Sequence, residues 1–200
     1  MESRKTLVKR ERLVSIIPLL RFIDIEASAG GPEGWPIEIG WSVVAPGIEP
    51  VSWSSLIRPD DSWEDCWSHH SQKIHGITRQ ELEVAPSAAL VARKIIAALA
   101  APGVIVISDS PKNDQPWLDR LLSAAGQPPG TIRIISPGAA FNDFVPPEKI
   151  KAMKDYLRDN KGPHRAGEDA VRLAHAILAG PLDFLYAPAL ESQEISNGPS

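Results

Sequence analysis

The segment LLRFIDIE, residues 19–26, predicts a β-strand that carries two carboxylates on one of its faces. Alternation along a strand places two apolar residues and both acids on the same side: Leu20, Phe22, Asp24 and Glu26. Two like charges this close and partly buried repel each other and lose hydration. A chain that folds around this strand must therefore supply positive charge between Asp24 and Glu26.

Composition narrows the class of protein around this strand. Apolar residues make up 43% of the 200 residues, which is enough for the core of one α/β domain. The net charge of −4 argues against holding nucleic acid by bulk charge, but it leaves room for an acidic pocket that carries metal. Cys66 is the only cysteine, so an intrachain disulfide and a Cys-rich zinc site are excluded. We therefore expect a cytoplasmic protein. The sequence contains no run of about 18 apolar residues, so no membrane span is predicted.

The order of predicted elements favours a mixed sheet with helices packed on it. Three strands joined by short connections predict an antiparallel meander, and Thr78 is placed to cap a short helix after them. The full set of predicted strands is 19–26, 37–44, 51–57, 104–108 and 131–136, with helices at 87–100, 115–126, 148–159 and 167–180. We expect residues 1–17 to form a flexible or loosely docked basic extension, 18–188 to form one domain, and 189–200 to be a flexible tail.

Three further candidate catalytic residues lie far from the first strand in sequence. Asp114 follows the loop after strand 104–108, and Asp169 lies in the first turn of the last long helix. Each acid alone is ordinary, because acids are favourable near helix N-termini. His164 precedes Asp169 by five residues, which is a rotation of about 140° on a helix. His164 must therefore come from the preceding loop if the two share a site.

Taken together, five ordered segments resemble the histidine-bearing (DEDDh) branch of the DEDD superfamily of 3′→5′ exonucleases. The segments are Asp24-Ile25-Glu26, Pro36-Ile37-Glu38-Ile39-Gly40, Ile74-His75-Gly76-Ile77-Thr78, Asn113-Asp114-Gln115-Pro116-Trp117-Leu118 and His164-Arg165-Ala166-Gly167-Glu168-Asp169-Ala170. The resemblance covers roughly residues 19–180. Two departures stand out: the polar run after Glu26 lacks the family's threonine, and Asp109 is a rival to Asp114 as the third acid.

The resemblance implies a ribonuclease H-like α/β fold with a central mixed five-stranded sheet, three antiparallel strands being followed by parallel ones. It also implies two Mg²⁺ or Mn²⁺ ions about 3.5–4 Å apart, with His164 as the general base. The implied metal ligands are Asp24, Glu26, Asp114 and Asp169. The implied reaction is hydrolysis at the 3′ end of single-stranded DNA or RNA, with release of nucleoside 5′-monophosphates.

Contacts to nucleic acid are expected from residues beside the first motif and in the third segment: Ala27, Ser28, Trp35 and His75. Trp63 and Trp67 are further candidates for stacking on a base, whereas Trp41 and Trp53 read as core residues of strands. His75 is also interpreted as a structural residue that makes a turn and a hydrogen bond. The alternative function is a non-catalytic nucleic-acid-binding or scaffold protein on the same fold. DNA or RNA preference stays open, as does a homodimer.

Overall fold

The computed structural model describes residues 4–185, with side chains described from residue 8 onward. The strands are β1 Leu20–Ala27, β2 Pro36–Ser42, β3 Ser52–Leu56, β4 Ile105–Ile107 and β5 Ile134–Ile135. The helices are α1 Arg4–Ile16, α2 His69–His75, α3 Arg79–Glu83, α4 Ala88–Leu99, α5 Pro111–Ser123, α6 Pro137–Phe141, α7 Pro147–Asp159 and α8 Ala166–Ala179. Two 3₁₀ turns cover Ile17–Leu19 and Asp183–Leu185.

The five strands form one mixed sheet in the order β3-β2-β1-β4-β5. The first three strands pair antiparallel, with Ile25 opposite Ile39, and β1 pairs parallel with β4, with Phe22 opposite Ile107. This confirms the predicted α/β architecture, including the meander of the first three strands. The sheet places β1, with its two acids, at the centre.

The alternation along β1 divides the core as the sequence predicts. Phe22 lies on the face covered by α8, where it shares a buried cluster with Leu173. Ile25 lies on the opposite face and shares a second cluster with Ile95 of α4. Asp24 and Glu26 therefore project on the side of the sheet that α8 covers.

Gly40 lets the start of α8 approach β2 closely. A Cβ built at this glycine would lie 2.5 Å from the carbonyl carbon of Ala166, which is too near for any side chain. Because Ala166 opens α8, the glycine brings the first turn of that helix directly over the sheet. This close approach positions Asp169 above the strand that carries Asp24.

The N-terminal segment differs from its prediction as a flexible or loosely docked arm. It forms α1, and Leu13 and Ile17 are 3% and 5% exposed within the cluster beneath α8. The arm is thus packed through Leu13 and Ile17, while the side chains of Lys9, Arg10 and Arg12 are exposed. The boundary at residue 17 stays a prediction, and the expected tail at 189–200 lies outside the described residues.

Several other elements differ from the sequence expectations. Short helices α2 and α6 were not predicted, and His69 and His70 lie exposed at the start of α2 instead of in a loop. Helix α5 begins at Pro111, a favoured first residue, so Asp114 lies inside its first turn. Strand β5 is only two residues long, and the Gln115 side chain bonds the backbone of Ile132 and Ile134 beside it. Among the described residues, no helix is both long and apolar enough to cross a bilayer.

Candidate active site

Three elements bring acids together beside β1. Strand β1 supplies Asp24 and Glu26, α5 supplies Asp114, and α8 supplies Asp169. One potential ligand atom from each of Glu26, His164 and Asp169 lies within 4.8 Å of the others. Asp24 and Asp114 fall outside that tight trio, but their charges interact with each other and with Glu26. The structure thus collects all five residues that the sequence nominated as catalytic.

Asp24 lies at the electrostatic centre of this acidic cluster. Burial is the main reason that its pKa is raised well above the ordinary range. The charges of Asp114, Glu26, Asp169 and Asp109 raise the pKa further, in that order. An anionic Asp24 is therefore costly unless positive charge enters the cluster.

The pKa of Glu26 is also raised by its surroundings. Burial, followed by the charges of Asp169 and Glu38, raises the pKa of Glu26 to about 7, although Arg165 opposes the shift. Two neighbouring acids on β1 are thus destabilised as anions by the fold itself. This is the electrostatic consequence that the sequence of β1 suggested.

Asp114 is the more deeply placed of the two rival acids in its segment. It is 2% exposed, and burial raises its pKa to about 7 even though the Ser108 hydroxyl donates a hydrogen bond to its carboxylate. Asp109 instead forms an ion pair with Arg172, with Nη2 and Oδ2 3.2 Å apart. This arrangement favours Asp114 over Asp109 as the third acid of the cluster.

His164 lies in the loop between α7 and α8, as the five-residue spacing to Asp169 required. Its backbone has φ of +56°, in the left-handed region that few residues other than glycine adopt. The side chain is exposed. This strained turn aims an open imidazole at the edge of the cluster.

The sequence analysis missed the contact that anchors this loop. The buried Glu38 carboxylate accepts hydrogen bonds from Arg165 Nε at 3.0 Å and Nη2 at 2.9 Å, and from the backbone N–H of Ala166 at 3.0 Å. Glu38 lies opposite Glu26 in the register of the two strands. The available signal was the pairing of an acid in the second segment with an arginine in the fifth.

All four residues expected to contact nucleic acid, Ala27, Ser28, Trp35 and His75, are buried. Ser28 uses its hydroxyl to accept a hydrogen bond from the backbone N–H of Trp35 at 3.0 Å, and Ala27 precedes it in β1. Trp35 is 3% exposed between Trp63 and Trp67, with ring centroids 6.5 and 5.7 Å away. Trp63 and Trp67 remain half-buried, so they hold the accessible indole surface of this group.

His75 makes a turn and a hydrogen bond, as its structural interpretation predicted, and one of its ring nitrogens has no partner among the described residues. Its Nδ1 accepts a hydrogen bond from the backbone N–H of Ile77 at 3.0 Å, and Gly76 adopts the left-handed conformation that ends α2. Its Nε2 is buried and has no hydrogen-bond partner within the part of the chain that the structure describes. Buried polar groups are normally satisfied, so this nitrogen is a candidate donor to a bound molecule.

The donor set of the acidic cluster fits a divalent cation. Carboxylate oxygens are hard ligands that suit Mg²⁺ and Mn²⁺. A cation would also relieve the repulsion that raises the pKa values of Asp24 and Glu26. Asp24, Glu26, Asp114 and Asp169 are the residues that would hold it.

Comparison with known proteins identifies the fold. No family model and no curated protein matches the chain. Among solved structures, Escherichia coli Exonuclease I in complex with a dT13 oligonucleotide has 14% identity and a TM-score of 0.59, covering 84% of this chain and 42% of that one. The apo Exonuclease I has 13% identity and a TM-score of 0.58, covering 84% of this chain and 43% of that one.

The zinc-bound complex of Escherichia coli Exonuclease I with single-stranded DNA gives a TM-score of 0.57 at 15% identity, with 84% and 42% coverage. The chain thus spans less than half the length of these neighbours. At this identity the likeness concerns the fold, and it confirms the predicted ribonuclease H-like class.

Proposed function

We propose that this protein is a metal-dependent 3′→5′ exonuclease that releases nucleoside 5′-monophosphates from single-stranded nucleic acid. The observation that carries the proposal is the convergence of acids from β1, α5 and α8 beside the exposed His164. Repulsion among these buried carboxylates destabilises the metal-free fold. Perturbed acids of this kind cluster at functional sites, and binding of divalent cations for catalysis would account for them. The fold is also that of solved exonucleases, some of which contain bound single-stranded oligonucleotides.

The chain's own residues divide the chemistry between them. Asp24, Glu26, Asp114 and Asp169 would hold the divalent ions, for which two is the expected number. When bound there, Mg²⁺ or Mn²⁺ supplies Lewis-acid activation of water and stabilisation of the leaving 3′-oxygen. His164 accepts the proton of the water that attacks the terminal phosphodiester, since its exposed imidazole lies beside the acids and a neutral ring nitrogen can take up a proton. Glu38 holds Arg165 and so keeps the preceding His164 in place.

Substrate contacts are proposed for residues outside the four acids and His164. The Nε2–H of His75, which is buried and has no hydrogen-bond partner among the described residues, is a proposed donor to a phosphate or a base. The half-buried rings of Trp63 and Trp67 offer surface for stacking. Contacts from Ala27, Ser28 and Trp35 stay predictions. DNA is the first substrate to test because the solved complexes contain DNA.

A single-stranded DNA labelled at its 5′ end tests both the activity and its direction. With Mn²⁺ we expect a ladder that shortens from the 3′ end, release of mononucleotides, and complete inhibition by EDTA. Phosphorothioate linkages at the 3′ end should block the reaction, whereas the same linkages at the 5′ end should not. Internal cleavage, or degradation from the 5′ end, would contradict the proposal.

The alternative of a non-catalytic nucleic-acid-binding or scaffold protein makes a different prediction for the same oligonucleotide. It expects binding without cleavage in Mg²⁺ and in Mn²⁺. Cleavage must also disappear in the Asp24→Asn variant, which excludes a contaminating nuclease. A single-stranded RNA of the same sequence measures substrate preference. The homodimer and the cytoplasmic location stay predictions.

A further inference from the structure

Arg172 lies one helical turn after Asp169 on α8 and connects two acids. Its Nε donates a hydrogen bond of 2.8 Å to Asp169 Oδ1. Its Nη2 donates one of 3.2 Å to Asp109 Oδ2, in the loop between β4 and α5. A single guanidinium thus joins the helix that carries one acid of the cluster to the loop that precedes Asp114.

Arg172 also reaches the segment before His164. Its Nη1 makes longer contacts of 3.4 Å with the backbone carbonyl oxygens of Leu157 and Asn160, at the end of α7. The loop that follows contains Gly162, whose Cα lies so close to the Asp169 carboxylate that a side chain could not fit between them. Arg172 therefore packs together the three segments that meet at Asp169.

The Asp169 carboxylate is held at both oxygens in this arrangement. Oδ1 accepts from Arg172, and Oδ2 accepts from the backbone N–H of Arg165 at 3.2 Å. The carboxylate is also buried, so its orientation is set by these partners and not by solvent. A ligand oriented in advance does not have to be ordered when a cation binds.

We propose that Arg172 is a positioning residue that fixes Asp169 for divalent cation binding by bridging it to Asp109. The inference rests on the proposed function of the acidic cluster. Charge alone would argue the other way, because a fixed cation beside a cation site repels the incoming ion. The geometry favours positioning, since the two acids are held by different nitrogens of one planar fork that lysine cannot reproduce.

The test is Mn²⁺ affinity, measured by calorimetry or electron paramagnetic resonance at pH 8 without nucleic acid. We expect both Arg172→Gln and Arg172→Lys to bind Mn²⁺ about 10–100-fold more weakly than the wild type, as for other residues that orient metal ligands. Arg158→Gln is the matched control, because Arg158 pairs with Asp155 and Asp159 on the exposed surface of α7. It should bind Mn²⁺ like the wild type.

Two results would overturn the inference. Wild-type affinity in Arg172→Lys would mean that charge suffices, and equal or tighter binding by Arg172→Gln would mean that Arg172 merely opposes the cation. Circular dichroism and unfolding in EDTA verify that each variant is folded, and Arg172→Lys carries the test if Arg172→Gln does not fold.

A wild-type protein that binds Mn²⁺ without hydrolysing DNA or RNA would contradict the proposed function only, whereas one that binds no Mn²⁺ would contradict both.

Discussion

Replacing His164 with asparagine is expected to slow hydrolysis of single-stranded DNA by a factor of about 10²–10⁴, which is the usual contribution of a general base. Asparagine is the informative replacement because it tolerates the left-handed backbone at φ of +56°. The variant should therefore keep the fold while it loses the group that accepts the proton. The measurement is the single-turnover rate in saturating Mn²⁺.

His70→Asn is the control for this change, since His70 is exposed at the start of α2 and outside the cluster. It should hydrolyse DNA at the wild-type rate. Because His164 lies within 4.8 Å of Glu26 and Asp169, Mn²⁺ affinity must be measured as well. Unchanged affinity with a slow rate supports a general base, whereas a matching loss of affinity would make His164 a metal ligand. A His164→Asn rate within threefold of the wild type would remove it from the mechanism.

The metal-free protein is expected to lose stability as the pH rises from about 4.5 to about 7. The reason is that the folded state raises the pKa of Glu26 and of Asp114 to about 7, so it binds these protons more tightly than the unfolded chain does. The associated stability is present in full below the ordinary pKa and is lost as the pH passes through 7. For Glu26 alone the change is about 3 kcal/mol in the free energy of unfolding.

Glu26→Gln isolates this effect because glutamine resembles the protonated acid. In EDTA at pH 8 the variant should be more stable than the wild type by up to about 3 kcal/mol, and the difference should vanish near pH 4.5. It should nevertheless lose hydrolytic activity and the stabilisation that Mn²⁺ gives the wild type. Urea unfolding across this pH range provides the measurement.

Glu83→Gln, at an exposed position in α3, is the control and should leave the pH profile of stability unchanged. A wild-type profile in EDTA that rises or stays flat between pH 5 and pH 8 would contradict the electrostatic account. So would a Glu26→Gln variant that is less stable than the wild type at pH 8.

The central part of this fold was readable from sequence because local patterns and long-range packing agree there. Alternation along β1 predicted its two buried faces, and short connections predicted the meander. The spacing between His164 and Asp169 required the histidine to come from a loop, which is where it lies. In each case a geometric rule over a few residues was enough.

Other features depend on partners that are distant in sequence. Helix α1 has the sequence of a solvated basic arm, and only the fold shows that Leu13 and Ile17 pack into the core. Strand β5 is shorter than predicted because it pairs with only two residues of β4. Helix α2 is too short for its periodicity to stand out. The roles of Glu38 and Arg172 emerge only when β2 and the two ends of the site are brought together in space.

The most direct test of the account is anomalous diffraction from crystals grown with Mn²⁺ and a nucleoside 5′-monophosphate. The account predicts manganese peaks coordinated by the β1 acids Asp24 and Glu26, with Asp114 and Asp169 completing the site and His164 facing the nucleotide phosphate. Manganese bound only at other carboxylates, or no manganese beside Asp24 at a concentration that saturates the protein, would contradict it.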